Sequence, residues 1–156
     1  MQYPSYSFTT DRENSIYEFT SIGKNQAIKK LIIFAIIKSE ANLYNLSFGD
    51  KPKKTLNNSI IDDRIVSNNG DMNRVLATVF RAVLDFTKDK GFYKIVFRGS
   101  TPSRTRLYRM VLSTNYEELS KYFNIYGVHS NGTVVFFAKN TNYQGFLITP
   151  NTNSIK

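Results

Sequence analysis

Four arginines crowd one short stretch of the chain, around a predicted change from strand to helix. The stretch runs from Phe97 to Arg109 and reads Phe-Arg-Gly-Ser-Thr-Pro-Ser-Arg-Thr-Arg-Leu-Tyr-Arg. An apolar strand ends at Phe97, and Thr101 and Pro102 open a helix because threonine favours the N-cap and proline the first helical position. A helix start presents N–H groups without partners and the positive end of the helix dipole. The stretch therefore favours the binding of a phosphate-sized anion.

Helical spacing predicts a different direction for each of these arginines. At about 100° per residue, Leu107 and Val111 face the core, Arg104 lies at the edge of that face, and Arg106 and Arg109 point outward. An arginine at the core boundary needs an anionic or carbonyl partner. The residues predicted to bind the anion are Arg98, Ser100, Thr101, Arg104, Arg106, Tyr108 and Arg109.

A purely structural role for the same residues is the alternative. In that case Arg104 pairs with a buried aspartate, and Thr101 only caps the helix, which stabilises it by ~1 kcal/mol. Tyr93 and Tyr108 stack on nucleobases if they are exposed, and otherwise belong to the core. The Gly-x-x-x-x-Gly-Lys-Ser/Thr pattern of phosphate-binding loops is absent from the sequence.

Four aspartates form a second candidate group, around a long polar connection over residues 51–70. Asp50, Asp62, Asp63 and Asp71 stand at predicted element ends, where carboxylates could hold Mg²⁺ for phosphodiester chemistry. Aspartates are also common in turns and at helix caps, and Asp71 suits the cap of the next helix. The sequence therefore predicts neither a metal nor a cofactor.

Charge favours an anionic partner. The net charge is +9, and residues 90–156 hold nine Lys/Arg against two Asp/Glu. This asymmetry favours nucleic acid, another polyanion or an acidic protein. With no cysteine, thiolate catalysis and disulfides are excluded. The longest apolar run, Leu31 to Ile37, is too short to cross a bilayer, and no signal peptide is evident. We expect a cytoplasmic protein that does not enter a membrane.

Hydrophobic periodicity predicts strands and helices in alternation along most of the chain. Strands are expected at 16–21, 29–38, 43–48, 93–97, 124–128, 133–138 and 143–148, and helices at 72–88, 101–112 and 114–122. In the helix at 72–88, Val79, Phe80, Val83 and Leu84 are expected to be buried against the sheet. The fold class is α+β, with a mixed, mainly antiparallel sheet and two principal helices in the order β-β-β-α-β-α-β-β-β. We expect a single domain over residues 1–156, with an ordered core at about 15–148 and a polar tail at 149–156.

The same order of elements resembles the core of Gcn5-related acyltransferases. Those enzymes hold the coenzyme A pyrophosphate in a Gln/Arg-x-x-Gly-x-Gly/Ala turn before their central helix. The corresponding turn reads Ser67-Asn68-Asn69-Gly70-Asp71-Met72, which lacks the second glycine and places the Asp71 carboxylate where it would repel a pyrophosphate. The resemblance therefore implies the topology without the cofactor site.

Eight short stretches between residues 17 and 148 carry a closer resemblance. They are Ser21-Ile22-Gly23, Tyr44-Asn45-Leu46, Phe48-Gly49-Asp50, Ile61-Asp62-Asp63, Ser67-Asn68-Asn69-Gly70-Asp71, Val75-Leu76-Ala77-Thr78-Val79, Gly99-Ser100-Thr101 and Arg104-Thr105-Arg106-Leu107-Tyr108. The chain resembles a family of small, functionally uncharacterised single-domain proteins of Bacteroidota-type bacteria. The resemblance implies a bacterial origin and no activity.

The sequence thus predicts a small basic domain that binds nucleic acid or a phosphorylated ligand at the arginine-rich corner. Its size and charge suit a toxin–antitoxin or defence pair. Two alternatives belong to other classes of protein. One is an enzyme, either a diverged acyltransferase or a metal-dependent nuclease that uses the aspartates. The other is a protein-interaction module without a small ligand.

Overall fold

The computed structural model describes residues 4–11, 15–24, 26–52 and 70–151. Within these residues the chain forms eight strands and three helices. The strands are β1 (Thr9–Asp11), β2 (Ile16–Gly23), β3 (Gln26–Ile36), β4 (Leu43–Asp50), β5 (Lys94–Phe97), β6 (Phe123–Val128), β7 (Val134–Phe136) and β8 (Gly145–Pro150). The helices are α1 (Met72–Thr87), α2 (Pro102–Thr114) and α3 (Tyr116–Leu119).

The strands of the described residues form one mixed sheet in the order β1-β2-β3-β4-β5-β8-β6-β7. Strand β4 pairs with β5 in parallel, whereas β1–β2, β2–β3, β5–β8, β6–β8 and β6–β7 are antiparallel. A parallel pair needs a long crossover, and α1 lies in the connection between β4 and β5. The predicted α+β class with a mixed, mainly antiparallel sheet is confirmed. The acyltransferase-like topology remains a prediction.

The chain divides into two compact units, which we name after their helices. The α1 unit contains Tyr3–Phe34 and Ser47–Lys88, and the α2 unit contains Ala35–Leu46 and Asp89–Lys156, together with Met1–Gln2.

Helix α1 buries a wide apolar face within the α1 unit. Val79, Phe80 and Val83 are buried as predicted, whereas Leu84 is 38% exposed, so its predicted burial is wrong. The Phe86 ring stacks on Phe34 of β3, with 4.2 Å between the ring centroids and 6° between their planes. Burial of this face is the main source of stability for such a helix, because isolated helices are marginal in water.

In the α2 unit, helix α2 packs on one face of the sheet. Its buried residues are Thr105, Tyr108, Val111 and Leu112. Opposite them, β5 contributes Phe97, whose ring centroid lies 6.4 Å from that of Tyr108 and 5.5 Å from that of Phe146 in β8. This packing places the end of β5 next to the start of α2.

A close approach between a glycine and a tyrosine also shapes the α2 unit. The Tyr143 ring occupies the space beside Gly127 of β6, so a Cβ added there would overlap the ring at Tyr143 Cε1. The Tyr143 hydroxyl accepts a hydrogen bond from the Ala138 N–H at 2.9 Å. The aromatic ring therefore fills the site of the missing side chain and ties together both ends of the loop between β7 and β8.

The ordered core begins earlier and ends later than predicted. The short strand β1 was not predicted, and Tyr6 before it is 6% exposed, so the core begins ahead of residue 15. At the other end, β8 continues to Pro150, and Thr149 and Pro150 are buried. Thr149 and Pro150 were predicted to belong to the polar tail after the ordered core, and the structure places both in strand β8.

Candidate nucleic-acid interface

The turn between β5 and α2 is a tight corner that requires glycine. A Cβ added at Gly99 would lie 2.5 Å from both Arg104 Cβ and the Thr105 backbone nitrogen. The Gly99 N–H donates to Thr105 Oγ1 at 3.1 Å. The chain therefore turns directly against the first turn of the helix, and this packing fixes where Arg98 leaves the strand.

The start of α2 offers less to an anion than the sequence predicts. Thr101 is the N-cap, and its Oγ1 accepts the Arg104 N–H at 3.3 Å. Pro102 occupies the first helical position and has no N–H to give. Of the four N–H groups that a helix start normally presents, two are thus satisfied or absent. Ser100 and Ser103 add exposed side chains near the helix start.

The arginines of the corner differ in exposure. Arg98 and Arg106 are exposed, and Arg104 is half-buried. Arg109, which the spacing also places on the outward side, is half-buried. Its guanidinium donates to the Thr141 carbonyl at 3.3 Å and to Asn142 Oδ1. Arg109 therefore holds the loop before β8, and Arg98 and Arg106 provide the exposed guanidinium groups.

Burial excludes two aromatic residues from contact with a partner. Tyr93 is 4% exposed and Tyr108 is 7% exposed. Tyr108 belongs to the buried face of α2, where it packs near Phe97. Of the two alternatives that the sequence leaves open for these tyrosines, the structure therefore shows the core position, and Tyr108 leaves the set of candidate anion-binding residues.

Of the four candidate aspartates, Asp50 and Asp71 lie in the described residues and have structural partners in the α1 unit. Asp50 accepts a hydrogen bond from the buried Lys30 ammonium, with 2.6 Å between Nζ and Oδ1. Asp62 and Asp63 lie outside the described residues. Among the residues that the structure does describe, no group of three or more His, Asp or Glu side chains is placed to hold a metal ion. No sequence pattern indicates the role of Lys30, because a lysine within an apolar strand is expected on the solvent face.

Asp71 stands at the N-cap position of α1 but does not cap it. Within the described residues its side chain makes no cap hydrogen bond. It instead accepts hydrogen bonds from the Tyr6 hydroxyl at 2.6 Å and from the Ser21 hydroxyl at 2.5 Å. The Arg74 guanidinium carbon lies 3.9 Å from the Tyr6 ring centroid. Burial, followed by the hydrogen bond to Asp71, raises the pKa of the Tyr6 phenol above 10.0.

The described helices lack the length and the apolar character that a membrane crossing requires. A model for a family of unknown function matches residues 2–151, which is nearly the whole chain. No curated protein and no solved structure matches the sequence. The match therefore comes without a known activity, and a functional argument has to start from the surface itself.

Proposed function

The chain belongs to DUF6934, a family of unknown function, and we propose that it binds a polyanion, foremost nucleic acid, through exposed cations of the α2 unit. The observation that carries the proposal is the exposure of Arg98 and Arg106 on either side of the corner at Gly99. Guanidinium groups match phosphate oxygens with two parallel hydrogen bonds, which a lysine cannot offer.

The charge of the α2 unit supports this proposal. The unit holds ten Lys/Arg and four Asp/Glu, for a net charge of +6. Residues 90–116 contain six bases and no acid. Lys121 and Lys139 are also exposed. One of the four acids, Glu40, is already paired with Lys94, with 2.7 Å between Oε1 and Nζ. The remaining positive surface attracts a polyanion over the range of the Debye length, about 8 Å at physiological salt.

The helix start supplies only part of the interaction. Since Thr101 and Pro102 satisfy or remove two of its N–H groups, a tight pocket for one phosphate is not the favoured arrangement. Several exposed cations along a polyanion fit better, because each phosphate contact releases a counterion and adds to the affinity. Phosphate contacts of this kind position the protein without reading sequence.

The enzyme alternatives have less support. The nuclease hypothesis needs carboxylates that are open to a metal, whereas Asp50 is paired with Lys30 and Asp71 binds Tyr6 and Ser21. The acyltransferase hypothesis depends on the turn over residues 67–72, of which 67–69 lie outside the described residues. A place in a toxin–antitoxin or defence pair fits the size and charge of the chain, and an acidic protein remains the alternative partner.

Salt-dependent binding to heparin and to duplex DNA tests the proposal. We expect affinity to fall steeply with salt, with a log–log slope of about 0.9 per duplex phosphate bound. The double variant Arg98→Gln/Arg106→Gln should lower that slope by roughly 1 for each phosphate that the variant no longer binds. Arg81→Gln is the matched control, because Arg81 is an exposed arginine of α1 in the other unit.

Two outcomes would refute the proposal. Either the wild type is not retained at low ionic strength, or the double variant and Arg81→Gln behave alike. Binding to polyglutamate but not to DNA would instead indicate an acidic protein partner.

A further inference from the structure

Across one face of the sheet in the α2 unit, the structure places a row of mainly aliphatic and aromatic side chains that the other described residues leave exposed or partly exposed. The register places Asn45, Val96, Leu147, Tyr126 and Phe136 side by side across β4, β5, β8, β6 and β7. All five are exposed or partly exposed. Because side chains alternate between the faces of a strand, this row lies opposite the face that carries Phe97 and packs on α2. We name it the open face.

The aromatic end of the open face is its most exposed part. Phe136 is 74% exposed and Val134, two residues earlier on the same face, is 47% exposed. The Phe136 ring stacks on Tyr126, with 5.1 Å between the centroids and 28° between the planes. The exposed Phe136 ring and the exposed Val134 side chain present apolar area on this face that a bound partner would remove from water.

An arginine stands beside this row. The next row of the open face runs from Val134 through Val128 to Gly145. A Cβ added at Gly145 would point to the open face and lie 3.4 Å from Arg98 Cβ. Arg98 therefore leaves β5 on the same side of the sheet as Phe136 and Tyr126, and the exposed guanidinium and the stacked rings share one surface.

We propose that the open face binds single-stranded nucleic acid, with bases stacked on Phe136 and Tyr126 and the phosphate backbone held by Arg98. This inference rests on the proposed function, and it names the form of nucleic acid that the basic surface takes. Exposed aromatic rings on a basic sheet accept unpaired bases, since every base has a π-face and duplex bases are already stacked on one another.

Charge selects this partner over a second copy of the chain. A dimer through the open face would bring together two units of net charge +6, with an exposed Arg98 on each. A single strand supplies both the bases that cover the rings and the phosphates that neutralise the arginine. The open face is therefore more complementary to a polyanion that carries aromatic groups than to the open face of a second copy of the chain.

The experiment compares a fluorescent 12-nucleotide single strand, as DNA and as RNA, with heparin, which has no bases. Phe136→Ala should weaken single-strand binding roughly 10-fold and leave heparin binding unchanged. Phe136→Leu should also weaken binding to the single strand, because it keeps apolar area and loses the ring. Phe92→Ala is the matched control, since Phe92 is another aromatic of this unit and is 54% exposed. Thermal melts of all variants should match that of the wild type.

The results separate this inference from the proposed function. If the wild type binds heparin with the expected salt dependence but Phe136→Ala binds the single strand as tightly as Phe92→Ala, the open face is not a stacking surface and the proposed function survives. If the wild type binds neither heparin nor the single strand at low salt, both proposals fail. A wild-type dimer that Phe136→Ala converts to a monomer would assign the open face to a second copy and overturn the inference.

Discussion

Replacing either Lys30 or Asp50 alone should strongly lower the free energy of unfolding, whereas replacing both together should change it little, because the two side chains form a buried ion pair. The Lys30 side chain is 3% exposed and that of Asp50 is 11% exposed, with 2.6 Å between Nζ and Oδ1. Both charges have therefore left water, and their attraction offsets that loss. Removing one partner of a buried pair costs about 3–5 kcal/mol, because the other charge stays buried.

Lys30→Met and Asp50→Leu are the perturbations, singly and combined. We expect each single variant to lose ~3 kcal/mol or more, and the double variant to lie near the wild type, since a buried pair replaced by apolar residues is often neutral or stabilising. The coupling free energy of the cycle should then be several kcal/mol, far above the ~0.5 kcal/mol scatter of independent sites. Urea unfolding with a common m-value measures the four free energies of unfolding.

A surface pair in the same unit provides the control. Lys51 and Glu18 are joined by a similar distance, 2.7 Å between Nζ and Oε1, but their side chains are 42% and 32% exposed. Lys51→Met should cost within ~1 kcal/mol. If Lys30→Met costs no more than Lys51→Met, or if the two single losses at Lys30 and Asp50 simply add, burial does not govern the pair and the reasoning is wrong.

Three further predictions concern packing, the corner and pH. Phe80→Ala should lower the free energy of unfolding by ~3–5 kcal/mol. Leu84→Ala, at an exposed position of the same helix, should lower it by under ~1 kcal/mol. Equal melting temperatures of the two variants would contradict the assignment of the buried face. Gly99→Ala should lower the free energy of unfolding by ~1–3 kcal/mol, because the added Cβ overlaps Thr105. Gly91→Ala is the control and should leave the melting temperature nearly unchanged, because a Cβ there meets nothing within 4 Å. The folded state raises the pKa of the Tyr6 phenol above its ordinary value of 10.0. The stability that the neutral phenol contributes is therefore complete below pH 10, and it is lost as pH rises through the raised pKa of the folded state. Above pH 10 the wild type should therefore lose more free energy of unfolding than Tyr6→Phe. If the two proteins lose stability in parallel as pH rises, the folded state does not perturb the Tyr6 phenol in this way.

Local periodicity was enough to predict α1 and most of the sheet. The spacing of Val79, Phe80 and Val83 is helical, and all three are buried as predicted. Leu84 lies at the margin of this apolar face of α1. At the margin, a rotation of one residue, about 100°, separates a core position from a solvent position, so periodicity alone does not predict which one Leu84 takes. Strand β1 has the sequence Thr-Thr-Asp, which carries no alternating apolar signal.

The candidate site was less predictable, because its decisive interactions join distant parts of the chain. The exposure of Arg106 follows from helical spacing, but the Asn142 partner of Arg109 lies 33 residues further on, and no local pattern indicates it. The Tyr6 partner of Asp71 lies 65 residues away. Which residues lie side by side on the open face depends on the register of four strand pairs. The alternation of apolar and polar residues within one strand does not determine its register against the next strand.

The packing of Tyr143 on Gly127 restricts the order in which this family can change its sequence. No side chain fits at position 127 while the Tyr143 ring occupies the site of its Cβ. A smaller residue at 143 must therefore arise first, and it gives up the hydrogen bond from the Ala138 N–H. Homologues should consequently show the two positions changing as a pair: glycine where residue 143 is aromatic, and alanine or larger only where the ring is absent.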